Sequence, residues 1–254
     1  MTAPPAVPDV ITVTGVSRRF GPRVLFRDVG FVVHRGEIMV ILGGSGCGKS
    51  TMLRMLMGLL PPTEGRIEVL GGDMARADTA LRRKVGVMFQ MGALFGSMTL
   101  LQNVMLPLEM HTDLPEVARE SVARTKLGLV GLGDAAGLMP AEISGGMAKR
   151  AAIARALALD PPLLFLDEPS AGLDPITSAG LDRLILDLKR DLGISFVVVT
   201  HELASIMAIA DRCIMLDKAA QGMIAEGDPR VLAESSTHPT VRAFFRRETA
   251  GEKP

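Results

Sequence analysis

The sequence contains no tryptophan and no tyrosine, and only two of its 254 residues are cysteines. Any stacking on a flat ligand must therefore use one of nine phenylalanines. Cys47 and Cys213 offer no disulfide framework, so a reducing, cytosolic compartment is the simplest expectation. The net charge is zero, from 28 basic and 28 acidic residues, and no strong overall field favours nucleic acid or anionic lipid as a partner.

Long apolar runs are also missing, although 48% of the residues are hydrophobic. Residues 38–42 and 196–199 are runs of strand length, well below the roughly 18 residues that a membrane-spanning helix needs. We therefore do not expect an integral membrane protein, whereas an apolar surface for a partner remains compatible with this composition. Residues 1–10 lack a basic-then-apolar pattern, so we expect a flexible lead-in there and no secretory signal.

Short predicted strands alternate with predicted helices along most of the chain. The patterns favour strands at 11–13, 31–33, 37–42, 67–70, 85–89, 163–166, 195–200 and 213–216, and helices at 49–57, 117–127, 146–159, 175–192 and 241–247. This alternation predicts an α/β fold with a mainly parallel sheet. Strand patterns disappear over 92–162, which predicts an inserted helical subdomain. We expect one domain over 10–235 and a polar tail over 236–254.

A glycine-rich loop follows the apolar strand at 37–42 and precedes a helix. It fits G-x-x-x-x-G-K-[ST] at every fixed position, and with the following threonine it comprises Gly43, Gly44, Ser45, Gly46, Cys47, Gly48, Lys49, Ser50 and Thr51. Glycines let successive backbone N–H groups point at one phosphate, and the helix directs its positive end there. Lys49 adds a cation for the β- and γ-phosphates, and the Ser50 hydroxyl is suited to ligate magnesium. The flanking strand and helix favour this interpretation over a glycine turn without a ligand.

Cys47 lies inside this loop. A small side chain is tolerated at that position, and nothing nearby in the sequence marks a resolving thiol. A redox role for Cys47 is the alternative.

Three further strands end in polar residues that suit phosphate or magnesium chemistry. Asp167 and Glu168 follow 163–166, Gln90 follows 85–89 and His201 follows 195–200. Because ligands bind at the carboxyl edge of parallel sheets, these ends are expected to face one site. We assign Asp167 to magnesium, through water, and Glu168 to general-base activation of a water molecule. The alternative is that the two acids begin a helix cap.

Ser144, Gly145 and Gly146 precede a helix rich in alanine and arginine. Ser144 is suited to cap that helix, whose open N-terminus then offers a second anion site. An ordinary helix cap after a glycine turn is the alternative.

In this order of motifs the chain resembles the nucleotide-binding subunits of ABC transporters. The resemblance covers about residues 10–235 and rests on the loop 43–50, Gln90, Ser144 to Gly146, 163–168, 170–174 and His201. It implies a RecA-like P-loop NTPase core with a mainly parallel sheet, N-terminal antiparallel β elements and an inserted helical subdomain. It also implies a head-to-tail homodimer that holds two ATP molecules with Mg²⁺, each between the loop of one copy and the Ser144 segment of the other.

The resemblance further implies roles for single residues. Gln90 would sense magnesium, His201 would hold the γ-phosphate and the attacking water, and Asp174 would lie at the dimer seam. Phe20 occupies the place of an aromatic residue that stacks on adenine, and a core phenylalanine is the alternative. Met147 departs from the usual glutamine, which puts any contact through a glutamine amide in doubt.

The segments 89–95, 103–104, 106–108 and 174–177, together with Met147, look like the ATPase subunits of MCE-type lipid transporters, in particular the Mla system that moves phospholipids between the two membranes of Gram-negative bacteria. This resemblance implies an integral membrane permease, an MCE-domain lipid-binding protein and a small STAS-domain subunit as partners. It places the chain peripherally on the cytoplasmic face of the inner membrane. The permease would insert a coupling helix at 93–108.

Other functions remain as alternatives. One is a soluble ABC-type ATPase without a permease, such as an iron–sulfur assembly factor, against which the 89–108 segment argues. Another is an ABC ATPase for a different hydrophobic cargo. A third is an inactive, binding-only regulator, against which Lys49, Asp167, Glu168 and His201 argue. DNA-repair members of the superfamily carry long coiled coils, for which 254 residues leave no space, and we expect no nucleic-acid partner.

Overall fold

The computed structural model describes residues 9–247, which fall into two compact units. The first unit takes its described residues from 9–77 and 197–247, and the second comprises 78–196. In chain order the elements are β1 (Asp9–Phe20), β2 (Arg23–His34), β3 (Ile38–Gly43), α1 (Lys49–Leu56), β4 (Glu64–Val69), β5 (Gly72–Asp73), α2 (Thr79–Arg82), β6 (Val85–Met88), α3 (Leu100–His111), α4 (Glu116–Leu129), α5 (Gly145–Ala156), β7 (Leu163–Asp167), α6 (Pro175–Leu192), β8 (Ser195–Val199), α7 (Leu203–Ile209), β9 (Arg212–Asp217), β10 (Gly222–Gly227), α8 (Pro229–Ser235) and α9 (Pro239–Arg246).

The first unit contains an antiparallel sheet built from the N-terminal strands. β1 pairs with β2 on one side and with β4 on the other, so that Val13 lies opposite both Phe31 and Ile67. β5 extends this sheet beyond β4. Irregularities in register interrupt the pairing of β1 with β2 at several points. The predicted N-terminal antiparallel β elements are therefore confirmed, and both strands of the hairpin are longer than the predicted runs.

The same unit contains a parallel pair that positions the glycine-rich loop. β3 runs parallel to β9, with Ile41 opposite Ile214, and β10 pairs antiparallel with β9. All six residues of β3 are buried, as expected for a continuously apolar strand that is covered on both faces. The carboxyl end of β3 therefore has little freedom to move, and the loop that follows it starts from a rigid point.

The second unit combines parallel strands with a group of helices. β6 runs parallel to β7, with Val87 opposite Phe165. Four helices pack in succession: α3 against α4 and α5, α4 against α5, and α5 against α6. Parallel pairing in both units, together with the antiparallel N-terminal sheet, confirms the predicted α/β class. The boundaries 92–162 for a helical subdomain and 10–235 for the domain stay predictions.

Several elements differ from the sequence expectations. α3 was not predicted, because Pro107 lies inside it and proline normally interrupts a helix. A capping box formed by Thr99 and Gln102 begins this helix. The predicted lead-in at 1–10 ends earlier, since Asp9 already belongs to β1, and residues 1–8 lie outside the described part, as do 248–254 of the predicted tail. None of the helices within 9–247 has the length and apolarity needed to cross a membrane.

Asn103 anchors the start of α3 to the segment that precedes it. The residue is fully buried, and its Oδ1 accepts a hydrogen bond from Phe95 N at 2.8 Å. Its Nδ2 donates to the carbonyls of Phe95 and Met98 at 3.1 Å and of Thr99 at 3.0 Å. The side-chain amide of Asn103 thus forms hydrogen bonds with one backbone N–H group and three backbone carbonyls of this turn. Removal of the amide takes away these hydrogen bonds.

We therefore expect Asn103→Leu to lower the free energy of unfolding by about 1–3 kcal/mol, because a buried polar group left unpaired carries that cost. Urea denaturation followed by circular dichroism measures the change. Glu109→Gln, at an exposed position of the same helix, is the control and should stay within about 0.5 kcal/mol of the parent. An Asn103→Leu protein as stable as its parent would contradict the anchoring role.

Candidate nucleotide-binding site

Two glycines of the loop are required by close contacts of the backbone. Gly43 has φ 142°, and a Cβ there would lie 2.2 Å from the carbonyl oxygen of Leu216 and 2.5 Å from Cys47 Sγ. Gly48 has φ 109°, and its Cβ would lie 2.9 Å from the ring of Phe26. Only glycine fits both positions without displacing a neighbour. Of the loop residues between them, Gly44, Ser45 and Gly46 are exposed.

The helix that follows the loop begins without a side-chain cap. Gly48 is the N-cap of α1, and within the described residues no side chain accepts a hydrogen bond at that cap. The first turn of α1 contains no acidic residue. Lys49 Nζ donates to the carbonyls of Gly43 at 2.7 Å and Gly44 at 3.1 Å, which keeps the ammonium beside the loop. Open N–H groups at a helix N-terminus together with a cation suit the binding of phosphate groups.

Phe20 lines one pocket together with the loop. The pocket has a volume of about 370 Å³ and is also lined by Gly46, Gly48, Lys49, Ser50 and Thr51. Phe20 is 49% exposed, and the Arg18 guanidinium lies 4.5 Å from its ring centroid. The alternative of a core phenylalanine is therefore wrong. A volume of this size suits a small-molecule ligand, and an exposed ring beside a phosphate cradle matches the two ends of a nucleotide.

Cys47 is 1% exposed, and burial raises the pKa of its thiol, while the nearby Lys49 acts in the opposite direction. A thiol held in its protonated form is a poor nucleophile. The structure thus favours a packing role for Cys47 over the redox alternative. Burial also raises the pKa of Cys213 to about 12.

The two acids at the end of β7 stand apart from any helix start. Asp167 is the last residue of the strand, whose other four residues are buried. Glu168 adopts φ 47°, a left-handed conformation that non-glycine residues rarely take and that often marks functional sites. The next helix, α6, begins only at Pro175 and is capped by Asp174. The alternative in which Asp167 and Glu168 begin a helix cap is therefore wrong.

Gln90 follows β6, after Phe89, and is exposed. Its backbone carbonyl accepts a hydrogen bond from Lys149 Nζ, and a turn closes next to it through Gly92 N and the carbonyl of Phe89 at 2.7 Å. The side chain of Gln90 thus starts from a fixed backbone point.

Ser144 caps α5, as the sequence predicted: its Oγ accepts a hydrogen bond from Met147 N at 3.2 Å. Ser144 and Gly145 are exposed, whereas Gly146 is buried. A Cβ on Gly146 would lie 2.4 Å from Cγ2 of Thr177, so this glycine allows α5 to pack closely on α6. A ligand role for the exposed cap stays a prediction.

Asp174 caps α6 by accepting hydrogen bonds at Oδ1 from the backbone N–H groups of Ile176 and Thr177, both at 3.0 Å. The Thr177 hydroxyl donates to Oδ2 at 2.5 Å. These hydrogen bonds, that of the Thr177 side chain foremost, lower the pKa of Asp174 below its usual value. The carboxylate is exposed and keeps its charge, which suits a contact with a second protein surface.

Sequence reasoning missed two cations of α5 that reach into the Gln90 and Glu168 segments. Lys149 Nζ donates to the carbonyls of Gln90 and Glu168, the latter at 3.3 Å. Arg155 donates to the carbonyls of Ala93 and, at 3.0 Å, of Gly92. The signal was three cations, Lys149, Arg150 and Arg155, in a helix otherwise made of small and apolar residues, but the sequence does not reveal which backbone groups accept their hydrogen bonds.

The predicted site residues thus fall into two groups. The first unit contains Phe20, the loop 43–51 and the exposed His201, which follows β8 and Thr200; the second contains Gln90, Ser144, Gly145, Gly146, Asp167, Glu168 and Asp174. No group of three or more histidine, cysteine, aspartate or glutamate side chains within 9–247 is arranged to hold a metal ion. The magnesium assignment to Ser50, Gln90 and Asp167 needs no such group, because Mg²⁺ at nucleotide sites is held by few protein oxygens together with phosphates. It stays a prediction.

Comparison with known proteins gives the same family from sequence and from structure. The ABC transporter family profile matches residues 26–171. The chain is 41% identical over 253 residues to the intermembrane phospholipid transport system ATP-binding protein MlaF of Escherichia coli K12, covering 98% of this chain and 93% of that protein. It is 40% identical over 245 residues to the probable ribonucleotide transport ATP-binding protein mkl of Mycobacterium tuberculosis H37Rv, covering 95% and 67%.

Solved structures of ATP-binding cassettes share the fold. CbiO1 from Clostridium perfringens, part of the ABC transporter complex cbiONQ, matches with a TM-score of 0.81 and 28% identity over 89% of this chain and 91% of that chain. The ATP-binding cassette MJ0796, solved as a dimer in a post-hydrolysis state with ADP and Pi, matches with a TM-score of 0.76 and 31% identity over 86% and 98%. With a family profile over more than half of its residues and a curated relative matched over nearly its full length, the chain belongs to the ABC transporter family as an ATP-binding, ATP-hydrolysing subunit.

Proposed function

We propose that this protein is the motor subunit of an ABC transporter that moves phospholipid between the inner and outer membranes. The single observation that supports nucleotide-driven work is the pocket that Phe20 shares with the glycine-rich loop and Lys49. The 41% identity to MlaF over 98% of the chain supports phospholipid as the cargo. We further propose that residues 10–235 form the ATPase domain, with a helical subdomain at 92–162, and that 236–254 form a tail.

The nucleotide is held from both ends in this proposal. Phe20 stacks on adenine, and the backbone N–H groups of 43–51 surround the phosphates. Lys49 provides a cation for the β- and γ-phosphates and has the reach to do so, since its ammonium already lies at the loop carbonyls. Ser50, Gln90 and Asp167 hold Mg²⁺, which supplies charge neutralisation to the phosphate oxygens when it is bound.

Glu168 acts as general base. It accepts the proton of the attacking water, whose oxygen bonds to the γ-phosphorus as the bond from that phosphorus to the β–γ bridging oxygen breaks. His201 orients this water and the γ-phosphate by hydrogen bonds. The left-handed backbone of Glu168 supports the assignment, because strain of this kind persists where side-chain direction matters.

A second copy of the chain completes the site. Ser144, Gly145 and Gly146 of that copy meet the γ-phosphate, with donors from the N-terminus of α5, and Asp174 lies at the seam. The exposure of Ser144, Gly145 and Asp174 supports this arrangement. So does the dimer in which the cassette MJ0796, 31% identical, was solved.

The permease docks on the second unit near the Gln90 segment. The side chains of Phe89, Met91 and Phe95 are 40%, 91% and 50% exposed. Contact of these apolar side chains with water is unfavourable, and a partner surface that covers them removes this contact. A groove of about 400 Å³ lies in the same unit, lined by Pro107 of α3 and by the basic residues Arg82, Arg83 and His111, among others. Of the predicted docking segment 93–108, Leu100, Val104 and Leu108 are buried and pack the helices instead.

The further partners are an MCE-domain lipid-binding protein beyond the permease and a small STAS-domain subunit. The chain is then peripheral on the cytoplasmic face of the inner membrane, held there by the permease. Nucleic acid is not a partner in this scheme, consistent with the zero net charge.

Lys49→Ala is expected to weaken ATP binding about 10- to 100-fold, because charge-assisted hydrogen bonds to the phosphates are lost. Equilibrium titration with a fluorescent ATP analogue measures the dissociation constant. The exposed Lys218→Ala serves as control and should bind normally. Unchanged affinity in Lys49→Ala would remove the loop from nucleotide binding.

Glu168→Gln should retain ATP binding and lose about 10²–10⁴-fold in turnover, the range for a missing general base. Steady-state phosphate release measures kcat, with Glu116→Gln at an exposed position of α4 as control. Near-parental hydrolysis in Glu168→Gln would sink the assignment of the base.

The cargo is tested with the native complex, purified from membranes in detergent and reconstituted into vesicles. We expect a permease to co-purify and ATP to drive transfer of labelled phospholipid, which Glu168→Gln abolishes. The relatives include mkl, which is 40% identical to this chain and is described as a probable ribonucleotide transport ATP-binding protein. Labelled ribonucleotide is therefore the competing cargo. Transport of ribonucleotide without lipid, or recovery of the ATPase without any permease, would refute the phospholipid proposal.

A further inference from the structure

Lys149 is a buried cation at the meeting point of two site segments. It lies in α5 and is 8% exposed. Its Nζ donates to the backbone carbonyl of Gln90 and, at 3.3 Å, to that of Glu168. One ammonium on the helix that Ser144 caps therefore joins Gln90, two residues after β6, to Glu168, directly after β7.

Burial alone disfavours a charge at this position. It lowers the pKa of Lys149, and the negative charges of Glu168 and Asp167 act against that effect. A buried ammonium is tolerated only when hydrogen-bond acceptors and opposite charges replace its water. The acceptors and the opposite charges around Lys149 both come from the segments that contain Gln90, Asp167 and Glu168. The position of Lys149 therefore depends on these segments, and their positions depend on Lys149.

A second cation of α5 holds the rest of the Gln90 segment. Arg155 donates to the carbonyls of Gly92 and Ala93, which have φ 71° and 51°. Arg150, by contrast, points its guanidinium to the carbonyls of Val130, at 3.3 Å, and Gly180, at 3.1 Å, outside the site segments. α5 therefore offers a cation that touches the site and, one residue further along, a cation with similar bonds that does not.

We propose that Lys149 is a positioning residue for ATP hydrolysis. By holding the carbonyls of Gln90 and Glu168 at one point, it sets the backbone from which both side chains project and links them to the helix that begins at Ser144. It acts through the backbone of these two residues. This inference rests on the roles assigned to Gln90 and Glu168 in the proposed function.

The test compares Lys149→Met, which fills a similar volume without donors, with Lys149→Arg, which restores charge and donors, and with Arg150→Met as matched control. In Lys149→Met, kcat should fall about 10- to 100-fold, the scale for misplaced catalytic groups, while KM and the ATP dissociation constant stay within about twofold. Lys149→Arg should recover most of kcat. Hydrogen exchange in Lys149→Met should rise only in peptides that cover 89–93 and 166–171.

Arg150→Met should lose thermal stability to an extent comparable with Lys149→Met but keep parental kcat. The proposal is overturned if Lys149→Met hydrolyses ATP within twofold of the parent, or if Arg150→Met loses kcat equally. If Lys149→Met does not fold, Lys149→Gln replaces it, because the glutamine side chain is one bond too short to reach both carbonyls. Parental kcat in Lys149→Gln also overturns the proposal. Glu168→Gln is assayed in parallel: if it retains turnover, the proposed base fails whatever Lys149 does.

Discussion

The close approach of Gly43 to the Leu216 carbonyl is the constraint on which the glycine-rich loop depends. These residues are register partners in the parallel pair of β3 and β9, so neither is free to retreat. With 2.2 Å between the carbonyl oxygen and the place of a Cβ, the chain must leave the strand through a conformation open only to glycine. Residues 44–46 of the loop are exposed, and α1 begins without a side-chain cap that would compete with a phosphate.

The second unit orders its site residues by a different means. There, cations of one helix reach the backbone carbonyls of two loops, through Lys149 to Gln90 and Glu168 and through Arg155 to Gly92 and Ala93. Carbonyl groups beyond these strand ends no longer accept hydrogen bonds from a neighbouring strand, so they need other hydrogen-bond donors. Charged donors meet that need with stronger bonds than neutral ones. Helix α5 therefore joins the capped Ser144 end to the loops in one rigid element.

Sequence patterns predicted some elements closely and others not at all. α6 was expected at 175–192 and lies at Pro175–Leu192, because Asp174, Pro175 and a C-terminal glycine mark both ends. β3 and β7 were found from short, continuously apolar runs. β1 and β2 were underestimated, since irregular register interrupts the alternation on which strand prediction relies. β10 was missed because it is a partly exposed strand without a clear apolar face.

The sequence by itself determined the chemistry and its order along the chain: a glycine-rich loop with Lys49, two acids after an apolar strand, and a serine before a glycine pair. These depend on neighbours in the chain, and local spacing specifies them. Only the tertiary structure decided that Phe20 shares a pocket with the loop and that Lys149 bridges Gln90 and Glu168. Such contacts join residues far apart in the chain, and their geometry arises from packing, which no local pattern records.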